Sequence, residues 1–354
     1  MQQINLIAPI NELGYGKTGL NVLKSLSKLA EVALWPIGES QVTNYDDQKV
    51  VESSIKRCET ANLQAPCIKI WHQHDMSFPE FIKGTRIGFP IFELNKFTPL
   101  EVSQLNSTDH LFAPSQWGKA IIELNDISSP CDVVPLGVDS TLFKIDSSDP
   151  HPHKVFFNCG KWEIRKGHDV LIDIWDDFCH VNPDHGWELW MMTENPFNTP
   201  QEERMWRKTY QRDNIRFIPR VKTHEEVYNI MRQTACGIFP SRAEGWNLEL
   251  LEMLALGKQC IATDYSAHTE FCDNTNTYLI KIDCLESAYD GKWFFGDGEW
   301  AQIGQDQIDQ IVYSMGEVVY DWDNTGINIP GVSTGEQFSW DNTAKRILQH
   351  VEVL

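Results

Sequence analysis

The sequence predicts an α/β protein built from two doubly wound domains, and three observations carry that expectation. Short apolar runs alternate with helix-like segments from one end of the chain to the other. The alternation breaks once, at the polar, proline-interrupted stretch Lys144–Lys154 (KIDSSDPHPHK), and then restarts. The length of 354 residues is too great for one ordinary domain and comfortable for two of about 150–180. Alternating strands and helices on both sides of a linker mean two such sheets facing across a cleft. Ligands of open α/β sheets sit beyond the carboxyl ends of the strands, so the interdomain cleft is the expected active site.

In the first half, apolar runs predict strands at Ile4–Ala8, Glu31–Trp35, Cys67–Trp71, Arg86–Phe92, His110–Ala113 and Asp132–Pro135. Between them, helical patterns cover Thr18–Leu29, Asp46–Asn62, Pro99–Asn106 and Gln116–Leu124. In the second half, strands are expected at Lys154–Cys159, Glu188–Met192, Ile215–Ile218, Cys236–Phe239, Gln259–Thr263 and Thr277–Ile280. Helices are expected at Gly167–Val181, Pro200–Arg212, His224–Thr234, Asn247–Leu256 and Gln305–Tyr320. Thr199 and Pro200 make a clean N-cap and first helical position. Asp283–Ile303 fits neither pattern and is expected to be an irregular insertion. The domains are therefore placed at 1–146 and 147–335, with a closing segment at 336–354.

Composition narrows the partners. Hydrophobic residues at 42%, with 13 tryptophans, are ample for two cores. A net charge of −20 opposes general nucleic-acid binding and a broad hold on anionic membrane, while leaving room for a local basic cleft. Nine cysteines without a C-x-x-C are the usage of a reduced compartment. With no basic leader and no window near the ~18–20 apolar residues of a membrane span, the expected location is cytoplasmic.

The stretch NELGYGKTGL carries two motif shapes. Gly16-Lys17-Thr18 resembles the end of a P-loop, but Asn11 stands where that loop needs glycine. Gly14, Gly16 and Gly19 spell G-x-G-x-x-G after a strand, yet the acidic residue a dinucleotide site requires has only Glu39 as a candidate, beyond a Pro-Ile-Gly turn. Two readings remain: a tight turn that packs the helix on its strand, or glycines and helix amides that approach a ligand phosphate. The second is preferred.

The strongest chemistry lies in the second half. In FPSRAEGWNLELLEMLALGKQCIATD, Glu244 and Glu252 form E-x7-E. The amides of Gly245, Trp246, Asn247 and Leu248 head a helix and offer an anion site. A carboxylate beside that site can accept from sugar hydroxyls; against this stand a capping role for Glu244 and simple solvation for Glu252. In NCGKWEIRKGHD, Lys161, Arg165 and Lys166 gather at a strand–helix junction, either to neutralise a diphosphate or as a solvated basic turn. His72 and His74, in IWHQHDMSF, admit an active-site, a structural or a metal reading; two histidines without a distant third ligand argue against metal.

GKWEIRKGHDVLI and PSRAEGWNLELLEMLALGKQCIATD together resemble the two donor-binding signatures of retaining glycosyltransferase family 4 (glycosyl transferases group 1), which has the GT-B fold. FAPSQWGKAIIE, DVVPLGVDSTLFK and GFPIFELNKFTPLEVSQLN are similar to stretches of that family's N-terminal domain, and FSWDNTAKRIL to its closing helix, which packs back on that domain. The resemblance implies a hexosyl transfer from a UDP- or GDP-sugar to a glycan, lipid-linked or other acceptor, with retention and without a metal or other cofactor. It assigns Lys161 and Lys166 to the donor pyrophosphate, Glu244 to the donor sugar and Glu252 to the ribose. Gly14 and Gly16 would approach the phosphate, and His72 or His74 would lie near the anomeric carbon. Family members more often carry arginine at the Lys161 position, so a point charge here replaces a bidentate fork. The rival readings are a non-hydrolysing nucleotide-sugar epimerase, an NAD(P)-dependent oxidoreductase and a non-catalytic sugar-binding protein.

Overall fold

The computed structural model describes residues 2–146, 152–322 and 326–353, so the middle of the expected linker, 147–151, lies outside the described residues. The chain divides into two compact units, residues 1–139 with 337–354 and residues 140–336. Each is built on one sheet of six strands.

The first unit runs β1 (Gln3–Ala8), α1 (Gly14–Leu26), β2 (Glu31–Pro36), α2 (Tyr45–Lys56), β3 (Cys67–Trp71), β4 (Arg86–Pro90), α3 (Pro99–Leu105), β5 (His110–Ala113), α4 (Gln116–Leu124) and β6 (Cys131–Val133). All pairings are parallel, in the order β2-β1-β3-β4-β5-β6. Residues Ile4 to Ala8 are all buried, which is why β1 reads as a continuous apolar run instead of alternating.

The second unit follows with β7 (Val155–Cys159), α5 (Leu171–Val181), β8 (Glu188–Met192), α6 (Pro200–Thr209), β9 (Ile215–Phe217), α7 (His224–Met231), β10 (Cys236–Phe239), α8 (Leu248–Ala255), β11 (Gln259–Thr263) and β12 (Tyr278–Ile280). Its parallel order is β12-β11-β10-β7-β8-β9. The core gathers Phe156, Trp175, Phe178 and Met191 from β7, α5 and β8, with Trp187 just before β8. The start of α6 is the one its sequence announces: Thr199 accepts from the amide of Glu202, whose carboxylate returns to Thr199 N.

Several expectations need correction. Asp283–Ile303 is not irregular: β13 (Leu285–Tyr289) and β14 (Phe295–Ala301) pair antiparallel with a register shift between Ser287 and Tyr289. Gly291, Gly296 and Gly298 all take positive φ there, and only a few side chains such as Ala288, Trp300 and Ala301 are buried, so no strand periodicity shows. Helix α5 starts at Leu171 and not Gly167, because Gly167 has φ +75° and lies against the carbonyl of Pro240. After α9 (Gln305–Tyr320) comes an unanticipated helix, α10 (Ile329–Gln337), whose glycines and proline hide its periodicity. The closing helix α11 (Trp340–Val351) belongs to the first unit, where Ser25 of α1 and Lys28 just beyond it bind Asp341 at 2.8 and 2.7 Å. Among the described residues, no helix is long and apolar enough to cross a membrane.

Helix α1 begins at Gly14, four residues before the periodicity suggests, so the glycine motif is the helix's own first turn. A Cβ on Gly16 would lie 2.4 Å from the backbone N and O of Asn11, whereas one on Gly14 would meet open space. We therefore predict that Gly16→Ala destabilises the protein by roughly 1–3 kcal/mol through overpacking. Gly14→Ala should stay within about 0.5 kcal/mol. Paired denaturant titrations decide this, and an unaffected Gly16→Ala would remove the packing account.

Candidate functional site

Each sheet reverses its winding once, and at such a point two neighbouring strands send their carboxyl-end connections to opposite sides, leaving a crevice. In the second unit the reversal falls between β7 and β10, which pair directly. The connections leaving them are residues 160–170 and 240–247, the two sequences that carry the cationic cluster and Glu244. They are laced together through the backbone: Arg242 N donates to Arg165 O at 2.6 Å, and Arg165 Nη1 donates to Ala243 O at 2.7 Å.

At the centre is a chain of five charges. Lys161 Nζ meets Glu163 Oε1 at 3.0 Å, and Arg165 Nη2 meets Glu163 Oε2 at 2.8 Å. Arg165 Nη1 and Lys166 Nζ hold the two oxygens of Glu244, each at 2.8 Å. Ser241 Oγ donates to Glu244 Oε1, and the Glu244 amide donates to Ser266 Oγ. Two carboxylates inside the cluster leave it a formal charge of +1, so its pull on an anion is far smaller than three cations imply. Exposure separates the members: the side chain of Arg165 is 7% exposed and that of Glu244 6%, against 11% for Lys166 and 37% for Lys161. The lysines, more than the arginine, reach the surface of the cluster.

The titration behaviour follows from this geometry. Burial alone would raise the Glu244 carboxyl, but Arg165 and Lys166 hold it well below the usual carboxylate range. Glu163 is lowered in the same way, by Arg165 and then Lys161 against burial. For Lys166, burial works downward, and the Glu244 and Glu249 carboxylates outweigh it and raise the ammonium. Glu163, Lys166 and Glu244 therefore all stay charged near neutrality.

Beside the cluster stands the N-terminus of α8. Asn247 is held at φ +80°, and its Oδ1 accepts from Leu250 N, while its Nδ2 reaches His268 Nε2 at 2.9 Å. Helix geometry leaves the amides of Leu248 and Glu249 without an intrahelical acceptor, an anion site by construction. Gly245 is buried, and the Trp246 ring is buried against Phe271, so these two offer backbone and not side chain. Glu252, also buried, is bound by His224 Nε2 at 2.6 Å.

Two buried histidines brace the loops. His168 accepts Glu163 N at Nδ1 and faces Asn158 Oδ1 through Nε2, which assigns the proton to Nε2. Burial pushes it down to about 3. Burial likewise lowers His268, whose Nδ1 donates to Thr263 O. Neither was read from the sequence, nor were Glu163, Ser241 and His224. Glu163 alone left a signal, an acid among three cations.

In the first unit the winding reverses between β1 and β3, which pair directly. The connections there carry Gly14 and the His72–His74 stretch. Tyr15 packs at 4.4 Å from the His72 ring, and His72 stacks on His74 at 5.2 Å. The Tyr15 hydroxyl donates to Ile91 O, and burial with the nearby Glu93 raises its pKa well above the usual phenol value. Gly14 and His74 are exposed; Gly16 is buried against Asn11, so its closeness is to the chain's own backbone.

Residues 153–289, within the second unit, match the family model described as glycosyl transferases group 1. A curated protein of the Sulfolobus islandicus filamentous virus (isolate Iceland/Hveragerdi), bearing a glycosyltransferase name, is 23% identical over 182 residues. That alignment takes in 49% of this chain and 47% of that protein, so the chain spans about half the length of the curated relative it matches. Among solved structures, the sucrose-phosphate synthase of Thermosynechococcus elongatus matches with a TM-score of 0.71 at 12% identity, over 99% of this chain and 98% of that one. HepE of Anabaena, solved in complex with UDP and glucose, matches with 0.71 at 14% identity over 100% of both. The apo lipopolysaccharide outer core galactosyltransferase WaaB matches with 0.62 at 15% identity, over 99% and 100%. At these identities the likeness carries the fold alone: two parallel-sheet α/β units that match GT-B structures.

Glu244→Ala strands Arg165 and Lys166 in a buried site and should cost about 3–5 kcal/mol. Lys161→Ala, at the exposed end, should cost about 0.5 kcal/mol or less; equal losses in both would contradict the gradient of burial. A second prediction concerns pH. The folded pKa of His168 and His268 lies below the unfolded value of about 6.5, so the unfolded chain binds more protons as pH falls. Stability is therefore full above about pH 6.5 and declines below it. The lowered Glu163 and Glu244 add a further loss below about pH 4.3. Unfolding midpoints that are level from pH 7 to 5 would refute the neutral-histidine account.

Proposed function

We propose that the chain is a retaining glycosyltransferase that moves a hexose from a nucleoside-diphosphate sugar to an acceptor without a divalent metal. The observation that carries this is the Lys166 ammonium, held by Glu244 at 2.8 Å beside the unpaired first-turn amides of α8. That is a site for a group whose negative charge grows as a bond breaks. The group 1 match falls on the same two loops, and the HepE structure holds UDP.

In this reading the bond between the anomeric carbon and the β-phosphate oxygen breaks, and its electrons go to the diphosphate. Lys166, Lys161 and the amides of Leu248 and Glu249 meet that charge, which is the work a metal would otherwise do. The acceptor hydroxyl attacks the same face of the sugar and loses its proton to the departing phosphate oxygen. Glu244 and Arg165 act through Lys166: both Glu244 oxygens are engaged by cations, so its first role is to aim the ammonium, and the acceptor capacity that remains serves the sugar hydroxyls. Glu252 takes a ribose hydroxyl. Gly14, His72 and His74 form the proposed acceptor-side surface of the first unit. A UDP- or GDP-sugar donor, a glycan or lipid-linked acceptor and a cytoplasmic location complete the proposal.

The test is nucleotide release from a panel of UDP-, GDP- and ADP-sugars, with and without EDTA. One donor should be turned over, indifferent to EDTA, with a loss of about 10²-fold or more in Lys166→Ala. Silence across the panel, with NADH bound instead, would overturn the reading in favour of an oxidoreductase.

A further inference from the structure

The carboxylate of Glu252 is divided in an unusual way. Its residue is 3% exposed, Oε1 is bound by His224 Nε2 at 2.6 Å, and Oε2 is buried without a hydrogen-bond partner. A buried carboxylate oxygen without a donor is costly, and such orphans in native proteins mark groups that something else satisfies. An ionised carboxylate only accepts, so whatever completes Oε2 must be a donor. The histidine that takes Oε1 is itself fixed. It is the first residue of α7, behind the Thr223–Glu226 capping box, and its ring meets the buried Phe143 edge-on at 5.0 Å. Phe143 in turn packs on Tyr228 of the same helix. His224 cannot turn away without disturbing that stack.

We infer that His224 is a positioning residue that confines Glu252 to accepting one ligand hydroxyl, through Oε2. The inference rests on the proposed function, which supplies the ligand class: the ribose of a nucleoside diphosphate. Spacing supports this choice. Glu252 lies three to four residues beyond the free amides of Leu248 and Glu249, about 5 Å along the helix axis. A diphosphate on those amides therefore carries its pentose toward Glu252. With both oxygens free, a carboxylate takes two vicinal hydroxyls equally; with Oε1 locked, it distinguishes them. His224 thus sets which hydroxyl of the pentose is read.

The test is calorimetric binding of UDP and GDP, with the 2′-deoxy and 3′-deoxy forms of whichever binds tighter, to wild type, His224→Ala and His224→Gln. Melting curves accompany each variant. Wild type should lose roughly tenfold in affinity for one deoxy form and much less for the other. In His224→Ala that difference should shrink severalfold at similar affinity for the unmodified nucleotide. His224→Gln, which keeps a donor at similar reach, should restore it even if the alanine variant folds poorly. A ribose preference identical in wild type and His224→Ala, or none in wild type, overturns the role of His224 while leaving the proposed function standing. Binding of neither diphosphate would instead overturn the proposed function, and this inference with it.

Discussion

Everything in the second unit's site depends on where the Glu244 carboxylate sits. It ties the connection after β7 to the connection after β10 by taking Arg165 and Lys166 on its two oxygens, and Ser241 adds a third donor. A buried carboxylate is tolerable only in such company. Its presence fixes the direction of Lys166, Glu163 on the far side of Arg165 restrains the exposed Lys161, and the loop that carries Glu244 continues into the first turn of α8. Most of the cluster's charge is neutralised internally, which bears on the proposed transfer. Under the proposed function, three unopposed cations would hold a diphosphate before and after transfer alike, whereas a net charge of +1 binds the ground state less and leaves more of the interaction to the charge that develops.

The alternation of strands and helices was legible because buried parallel strands read as apolar runs and their helices as periodic ones. The five-charge site was half legible. Lys161, Arg165, Lys166 and Glu244 stand out by type and spacing, but not which of them would be buried, since that depends on the pairing of β7 with β10 far apart in sequence. Arg165 therefore looked like a ligand contact and is a strut between two carboxylates. His168, His224 and His268 gave no signal, because a histidine's role is set by the neighbour at its ring nitrogens. The β13–β14 hairpin escaped for a different reason: its glycines and acids have no periodicity, and what anchors it is Arg242, bonded to Glu286 and Asp169.

The glycine motif near the start shows how one pattern can serve two demands. Gly16 gives α1 room against Asn11, a packing need internal to the first unit, while Gly14 is left exposed at the helix start. Both units thus use the same device, a winding reversal that opens a crevice at the sheet's carboxyl edge, but furnish it differently. The first offers the packed rings of Tyr15, His72 and His74; the second offers charge and the first-turn amides of α8.

The most direct measurement is a crystal structure of the protein with UDP or GDP bound. The account predicts a diphosphate oxygen within hydrogen-bonding distance of Lys166 Nζ and another on the amide of Leu248 or Glu249, with the Glu244–Arg165–Lys166 pairs intact. A diphosphate seated on the first unit's Gly14 turn, or one that draws Lys166 away from Glu244, would contradict it.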